Sequence, residues 1–188
     1  MGDGLSATAW EGRHGEIRKI WDQSGLAAIN LFYSRITEVL GFTPLRHEGK
    51  VTGLAAYAEA PKDLVAHFAQ EIAFLDGKFK HFNYKIPAHR NDAFWKKCQN
   101  YSKEEIASAA QTVLETAVLD FVQYWIEQTG LRNLAVAGGI FANVKLNQRI
   151  ANLTNLESLW VLPHMGDGGL AVGAALAAAD AAPTQLPH

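Results

Sequence analysis

The sequence predicts an α/β fold: a mixed β-sheet flanked by helices, with one helical and loop insertion. Three observations predict it. Between Asn133 and Ala179 the pattern of strand, glycine turn and helix occurs twice in succession. Two strand-like runs separated by turn residues open the chain as a β-hairpin. Two long segments, Leu26 to Leu40 and Ile106 to Trp125, carry apolar residues at helical spacing, and strands mixed with helices in this order need a sheet covered by helices.

Taken in order, the opening Met1 to Thr8 passes at once into a strand-like run ending near Trp10, turns through Glu11-Gly12-Arg13-His14-Gly15, and returns from Glu16 to Trp21 as a hairpin. Ahead of it, Gly2-Asp3-Gly4 reads as a phosphate-facing turn or an ordinary tight turn, and the residues alone favour the second. Ser24 is the predicted N-cap of a helix whose apolar face is Leu26, Ile29, Phe32, Tyr33, Ile36, Val39 and Leu40, closed by Gly41. From Phe42 to Tyr57 charges and glycines alternate without a clean period. Glu48 and Lys50 in that stretch are either partners for the hydroxyls of a bound sugar or a solvated loop pair, and spacing favours the loop pair.

The insertion spans Ala58 to Asn100. It holds a predicted helix from Lys62 to Leu75, the turn Asp76-Gly77 and a loop with His81, Tyr84, Pro87, His89 and Arg90. His81 and His89 lack an i, i+4 relation and a nearby thiol, so they read as surface or packing histidines. Phe79, Phe82, Tyr84, Phe94 and Trp95 serve to bury this insertion. Ser102-Lys103-Glu104-Glu105 is a capping box, followed by a long helix through Ile106, Ala110, Val113, Ala117, Phe121, Tyr124 and Trp125 to Gly130. The tail from Asp180 to His188 has nothing to bury and is expected to fray.

In the last quarter, Leu134 to Ala137 meets Gly138-Gly139 and then a helix with Phe141, Val144, Leu146 and Ile150. Leu159 to Leu162 and Pro163 then meet Gly166-Asp167-Gly168-Gly169 and an alanine-rich helix from Leu170. Strand-to-helix turns rich in glycine bring backbone amides and helix N-termini to one sheet edge, where a phosphate or nucleotide can approach. Asp167 has two readings that spacing does not separate, a metal ligand and an N-cap for the final helix.

Bulk properties narrow the functional classes. The chain has 188 residues, 48% hydrophobic and 19% charged, the make-up of one folded domain. A net charge of -2 provides no electrostatic basis for nucleic acid or an anionic membrane as partner. The one cysteine, Cys98, excludes an internal disulfide and a thiol metal cluster, and no local motif activates it as a nucleophile. No uncharged apolar run approaches about 18 residues and no signal peptide opens the chain, so a cytoplasmic protein is expected.

Three blocks resemble the O-carbamoyltransferases of the nodulation and antibiotic-biosynthesis type, relatives of the tRNA threonylcarbamoyl-transferring proteins in the actin-like ATPase superfamily. They are Leu31-Phe32-Tyr33-Ser34 with Leu40-Gly41-Phe42; Glu48-Gly49-Lys50-Val51-Thr52-Gly53-Leu54-Ala55-Ala56-Tyr57; and Ala137 to Asn143 with Pro163 to Ala175. Thr52, Ala56 and Ala58 depart from the methionine, proline and glycine usual in the family. The resemblance implies the C-terminal lobe of an RNase H-like, actin-like ATPase domain that binds ATP-derived carbamoyladenylate and passes the carbamoyl group to a hydroxyl of a small-molecule or sugar acceptor.

On that resemblance Gly138, Gly139 and Asn143 hold the adenosine, Glu48 and Lys50 face the ribose, and Gly2 and Asp3 belong to a phosphate loop. Asp167 becomes one ligand of a divalent metal, iron in the family, which polarises the carbamoyl carbonyl as a Lewis acid. The other ligands, a paired-histidine motif, belong to a preceding lobe, and the adenylate is made by a separate YrdC-like domain. The chain therefore reads as one lobe, incomplete and inactive alone, with that lobe, that domain and a homodimer mate as expected partners. Two other readings stand beside it: a non-catalytic nucleotide-binding or interaction module of the same fold, and a sugar or acetate kinase lobe.

Overall fold

The computed structural model describes residues 4–25, 29–81 and 93–181. Its class is α/β, and the chain divides into two compact units on either side of the Leu131-Arg132 bond. Among the described residues the strands pair two by two, as three separate sheets.

In the first unit β1 (Leu5–Arg13) and β2 (Glu16–Ser24) form an antiparallel hairpin. Its two-residue turn, His14-Gly15, takes φ of 53° and 82°, and a turn with both central φ positive matches the right-handed twist of the flanking strands. The register passes from Ala9↔Trp21 to Trp10↔Lys19, so β2 carries one extra residue there, a bulge. Trp21 packs in tilted ring contacts at centroid distances of 5.5 Å from Phe121 and 6.1 Å from Trp125. The expectation for Ser24 is corrected. Ser24 is the last residue of β2, paired with Leu5, and the ladder rather than a helix claims its backbone.

Helix α1 (Asn30–Val39) starts at Ile29 without a side-chain cap. It ends in a Schellman motif: Gly41 at φ 82° donates its N–H to the Glu38 carbonyl, and the Phe42 N–H donates to Thr37 O at 2.9 Å. The stretch that lacks a sequence period folds as α2 (Glu48–Leu54), continued by a 3-10 turn, Ala55–Tyr57. Gly49 and Gly53 sit inside it, each unfavourable by about 1 kcal/mol relative to alanine, which masks the helical pattern. The loop-pair reading of Glu48 and Lys50 is corrected accordingly, since both lie on a helix.

Helix α3 (Lys62–Phe68) is shorter than expected. Ile72 to Leu75 is a strand, β3 (Ile72–Leu75), paired antiparallel with β4 (Lys78–His81). The Asp76-Gly77 turn decides this: both residues have positive φ, 54° and 74°, the geometry of a two-residue hairpin and not of a helix end. After α4 (Ala93–Cys98) comes α5 (Lys103–Thr129), 27 residues long, with the capping box formed as expected and Gly130 at φ 68° behind it.

Helix α5 is the spine of this unit. Ala107, Ala109, Ala110, Val113, Leu114, Ala117 and Val118 are all buried, and the alanines let α2, α3 and β3 approach it closely. A second cluster joins α1, α3 and α4 through Phe32, Phe68 and Phe94, with Cys98 buried. Phe82, Tyr84 and His89 of the insertion lie outside the described residues.

The second unit repeats strand, turn, helix twice, as expected. β5 (Asn133–Val136) and β6 (Ser158–Val161) pair in parallel, Asn133 opposite Ser158 and Val136 opposite Val161. Helix α6 (Val144–Ala151) buries Leu146 and Ile150, while α7 (Leu170–Ala181) leaves Leu170, Val172 and Leu176 exposed. No helix among the described residues is long and apolar enough to cross a membrane.

Candidate functional site

In the second unit the two glycine turns are joined directly. Gly138, at φ 110°, donates its N–H to the Met165 carbonyl at 2.6 Å, tying the turn after β5 to the turn after β6. The positive φ explains the glycine at 138, because a side chain rarely adopts that backbone conformation. Gly139 begins a 3-10 turn, Gly139–Ala142, and is exposed, with no atom within 4 Å of where a Cβ would stand. Asn143 is buried and caps α6, its Oδ1 accepting the Leu146 N–H at 3.1 Å. Its side-chain oxygen is thus engaged locally.

The second turn is shaped by His164. A Cβ on Gly168 would collide with the His164 ring, and one on Gly169 would collide with the His164 carbonyl oxygen. Asp167 opens the 3-10 turn Asp167–Gly169 that leads into α7. Its backbone carbonyl accepts the Leu170 N–H, no side-chain cap forms at this turn, and the residue is exposed. The carboxylate is therefore presented to solvent at the foot of a helix.

In the first unit Glu48 is the first residue of α2, the end where the helix dipole favours a negative charge. Its Oε1 accepts two hydrogen bonds, from Ser34 Oγ at 3.0 Å and from the Leu45 N–H at 2.6 Å. Lys50 is exposed, with Nζ 5.3 Å from the centroid of the Phe42 ring; Lys103 Nζ lies 5.8 Å from the same ring. Both cations are thereby held beside the Gly41-Phe42 turn.

Sequence reasoning did not single out Ser34 for this role. Nor did it find the polar chain in which Tyr33 Oη donates to Gln111 Oε1 at 2.7 Å, lies 3.0 Å from Thr52 Oγ1, and Gln111 donates onward to Glu115 at 2.8 Å. The signal was present in Thr52, a polar residue where the resembled family has methionine. Gly2 and Asp3 lie outside the described residues. Among the described residues no group of three or more His, Cys, Asp or Glu side chains is placed to hold a metal ion.

The family model described as Carbamoyltransferase N-terminus matches residues 2–176. MJ1051, an uncharacterized protein of Methanocaldococcus jannaschii, is 34% identical over 183 residues, covering 94% of this chain and 35% of its own length. The nodulation protein NolO of Bradyrhizobium diazoefficiens is 30% identical over 154 residues, covering 79% of this chain and 28% of its own. The nodulation protein NolNO of Sinorhizobium fredii is 30% identical over 156 residues, 79% of this chain and 22% of its own. The chain thus spans from 22% to 35% of the length of these curated relatives. Since the family model covers nearly all of its residues, the chain belongs to the carbamoyltransferase family, through that family's N-terminal domain.

Proposed function

We propose that this chain is the nucleotide-binding part of an ATP-dependent O-carbamoyltransferase, a lobe of RNase H-like, actin-like ATPase type. The observation that carries the reading is the pair of glycine turns after parallel strands β5 and β6, joined by the Gly138–Met165 hydrogen bond, in a chain of this family. In this reading the exposed Gly138-Gly139 turn seats the adenosine, with Asn143 fixing the turn by capping the helix that follows. Glu48 and Lys50 of the first unit are read separately as contacts to sugar hydroxyls, and Gly2 and Asp3 lie outside the described residues.

The reaction is a carbamoyl transfer. The acceptor hydroxyl oxygen bonds to the carbamoyl carbon, the bond from that carbon to the adenylate oxygen breaks, AMP leaves, and the hydroxyl proton passes to a base. Binding both reactants in line accounts for much of such a rate enhancement. In this reading the adenylate itself is supplied by a separate YrdC-like domain, and a further lobe completes the site. Where the whole protein holds a divalent metal such as iron, Asp167 is the ligand from this chain. The described residues alone do not fit a metal centre, because one exposed carboxylate binds too weakly without further ligands.

Titration calorimetry with AMP tests the reading. Saturable binding that weakens at least tenfold in Gly138→Val is the expected result; equal heats for both proteins would remove the adenosine seat.

A further inference from the structure

We infer that the first unit carries a small-molecule site of its own, a pocket where the ends of α1, α4 and α5 meet, and that it takes an organic anion: a carboxylate on a compact apolar body. The pocket lies wholly within that unit, and the inference does not rest on the adenosine reading.

The cavity has a volume of about 180 Å³. At about 30 Å³ for each water of the liquid, it has room for a fragment of benzoate size and too little for a nucleotide. Val39 and Leu40 at the end of α1, Trp95 and Cys98 of α4 and Ile106 of α5 supply its apolar wall. Leu40, Cys98 and Ile106 are themselves buried, so the wall belongs to the core and is set before any ligand arrives. The segments beside it are fixed as well, Gly41-Phe42 by the Schellman motif and the start of α5 by its capping box. A preformed pocket of this kind requires little ordering on binding.

The charge beside this wall is positive. Lys103 lines the pocket, and its Nζ reaches over the Gly41 turn, 4.0 Å from where a Cβ on that glycine would stand. Lys50 brings a second ammonium to the same turn, since both lysines lie against the one ring of Phe42. Among the described residues neither lysine forms an ion pair. Two acids of the adjoining segments are engaged with other groups: Glu105 accepts the Ser102 N–H at 2.8 Å, and Asp63 pairs with Lys97 at 2.8 Å. Two like charges beside one aromatic ring repel each other, and the attraction of an exposed ring offsets this only weakly. An anion seated against the apolar wall complements both ammoniums, while its apolar body fills the cavity. With three N–H donors, Lys50 can serve an anion here and a sugar hydroxyl as well.

Titration of the chain with benzoate, followed through backbone amide shifts in heteronuclear NMR spectra, tests the inference. Benzyl alcohol supplies the apolar body without the charge, and acetate the charge with little apolar body. Benzoate should bind saturably, shift the amides of Leu40, Gly41, Cys98 and Ile106, and bind about tenfold more tightly than either comparison compound, as expected when a charged partner and a buried ring act together. Lys103→Gln should lose about tenfold in benzoate affinity and fall to the level of benzyl alcohol, Lys103→Arg should keep the affinity, and Lys50→Gln should lose several-fold, all three with the melting temperature of the wild type. Benzoate binding no tighter than benzyl alcohol, shifts confined to residues away from the pocket, or an unchanged benzoate affinity in either glutamine variant overturns the inference. AMP calorimetry is a separate measurement, so this inference and the adenosine reading fail separately.

Discussion

At the scale of single residues, the polar contacts of the first unit make pH and mutation tests sharp. Tyr33 is buried, and its hydroxyl links α1 to Gln111 of α5 and Thr52 of α2. Tyr33→Phe leaves buried Gln111 without that donor and should destabilise the protein by about 1–3 kcal/mol in urea unfolding. His67, beside Phe68 and Phe94, has its pKa held below the ordinary value of 6.5, first by burial and then by the charges of Lys97 and Arg35. Its neutral form is the folded one, so its contribution is complete above about pH 6.5 and is lost as pH falls toward its folded-state value. Unfolding measured from about pH 7.5 down to about pH 5 should show this slope, and His67→Gln should flatten it. Asp63 is held near a pKa of about 2, chiefly by the hydrogen bond from Lys97 and then by that from Tyr101. Its contribution is present above 3.8 and fades as pH falls through about 2. Residues whose role is defined by a partner far along the chain, such as Ser34 and Gln111, carry no local sequence signal; only folding brings Ser34 and Glu48 together.

At the scale of elements, what could be read in advance depended on whether the signal was local. The Ser102–Glu105 capping box, the αL glycine at 130 and the strand-turn-helix repeats are local devices, and each appears where the sequence puts it, within a residue or so. The Asp76-Gly77 hairpin was equally local but competed with an apolar run that continues the period of α3. Helix α2 escaped notice because its glycines lower helix propensity while its packing on α5 restores stability, a tertiary effect. Two element tests follow from these devices. Ser102→Ala removes one half of the capping box and should lower stability by about 1 kcal/mol. In the second unit Gly169→Ala should destabilise by about 1–3 kcal/mol, because the carbonyl of His164 cannot swing away as a side chain can, whereas Gly139→Ala should stay within about 0.5 kcal/mol.

At the scale of the whole molecule, the family was legible because its three blocks keep their order along the chain, and the domain match over residues 2–176 agrees with them. The local settings of the candidate residues were not legible in the sequence. Gly138 has a positive φ that calls for glycine, Asp167 is exposed at a helix foot, and Asn143 caps α6, a role that spacing alone does not distinguish from ligand binding. The proposed roles of Gly138 as a nucleotide contact and Asp167 as a metal ligand are tested together by AMP and iron(II) binding to a family-length protein carrying this chain. The wild type is expected to bind both, Gly138→Val to lose AMP at least tenfold, and Asp167→Ala to lose iron(II) while keeping AMP. Iron(II) binding unchanged in Asp167→Ala, or AMP binding unchanged in Gly138→Val, would contradict these roles.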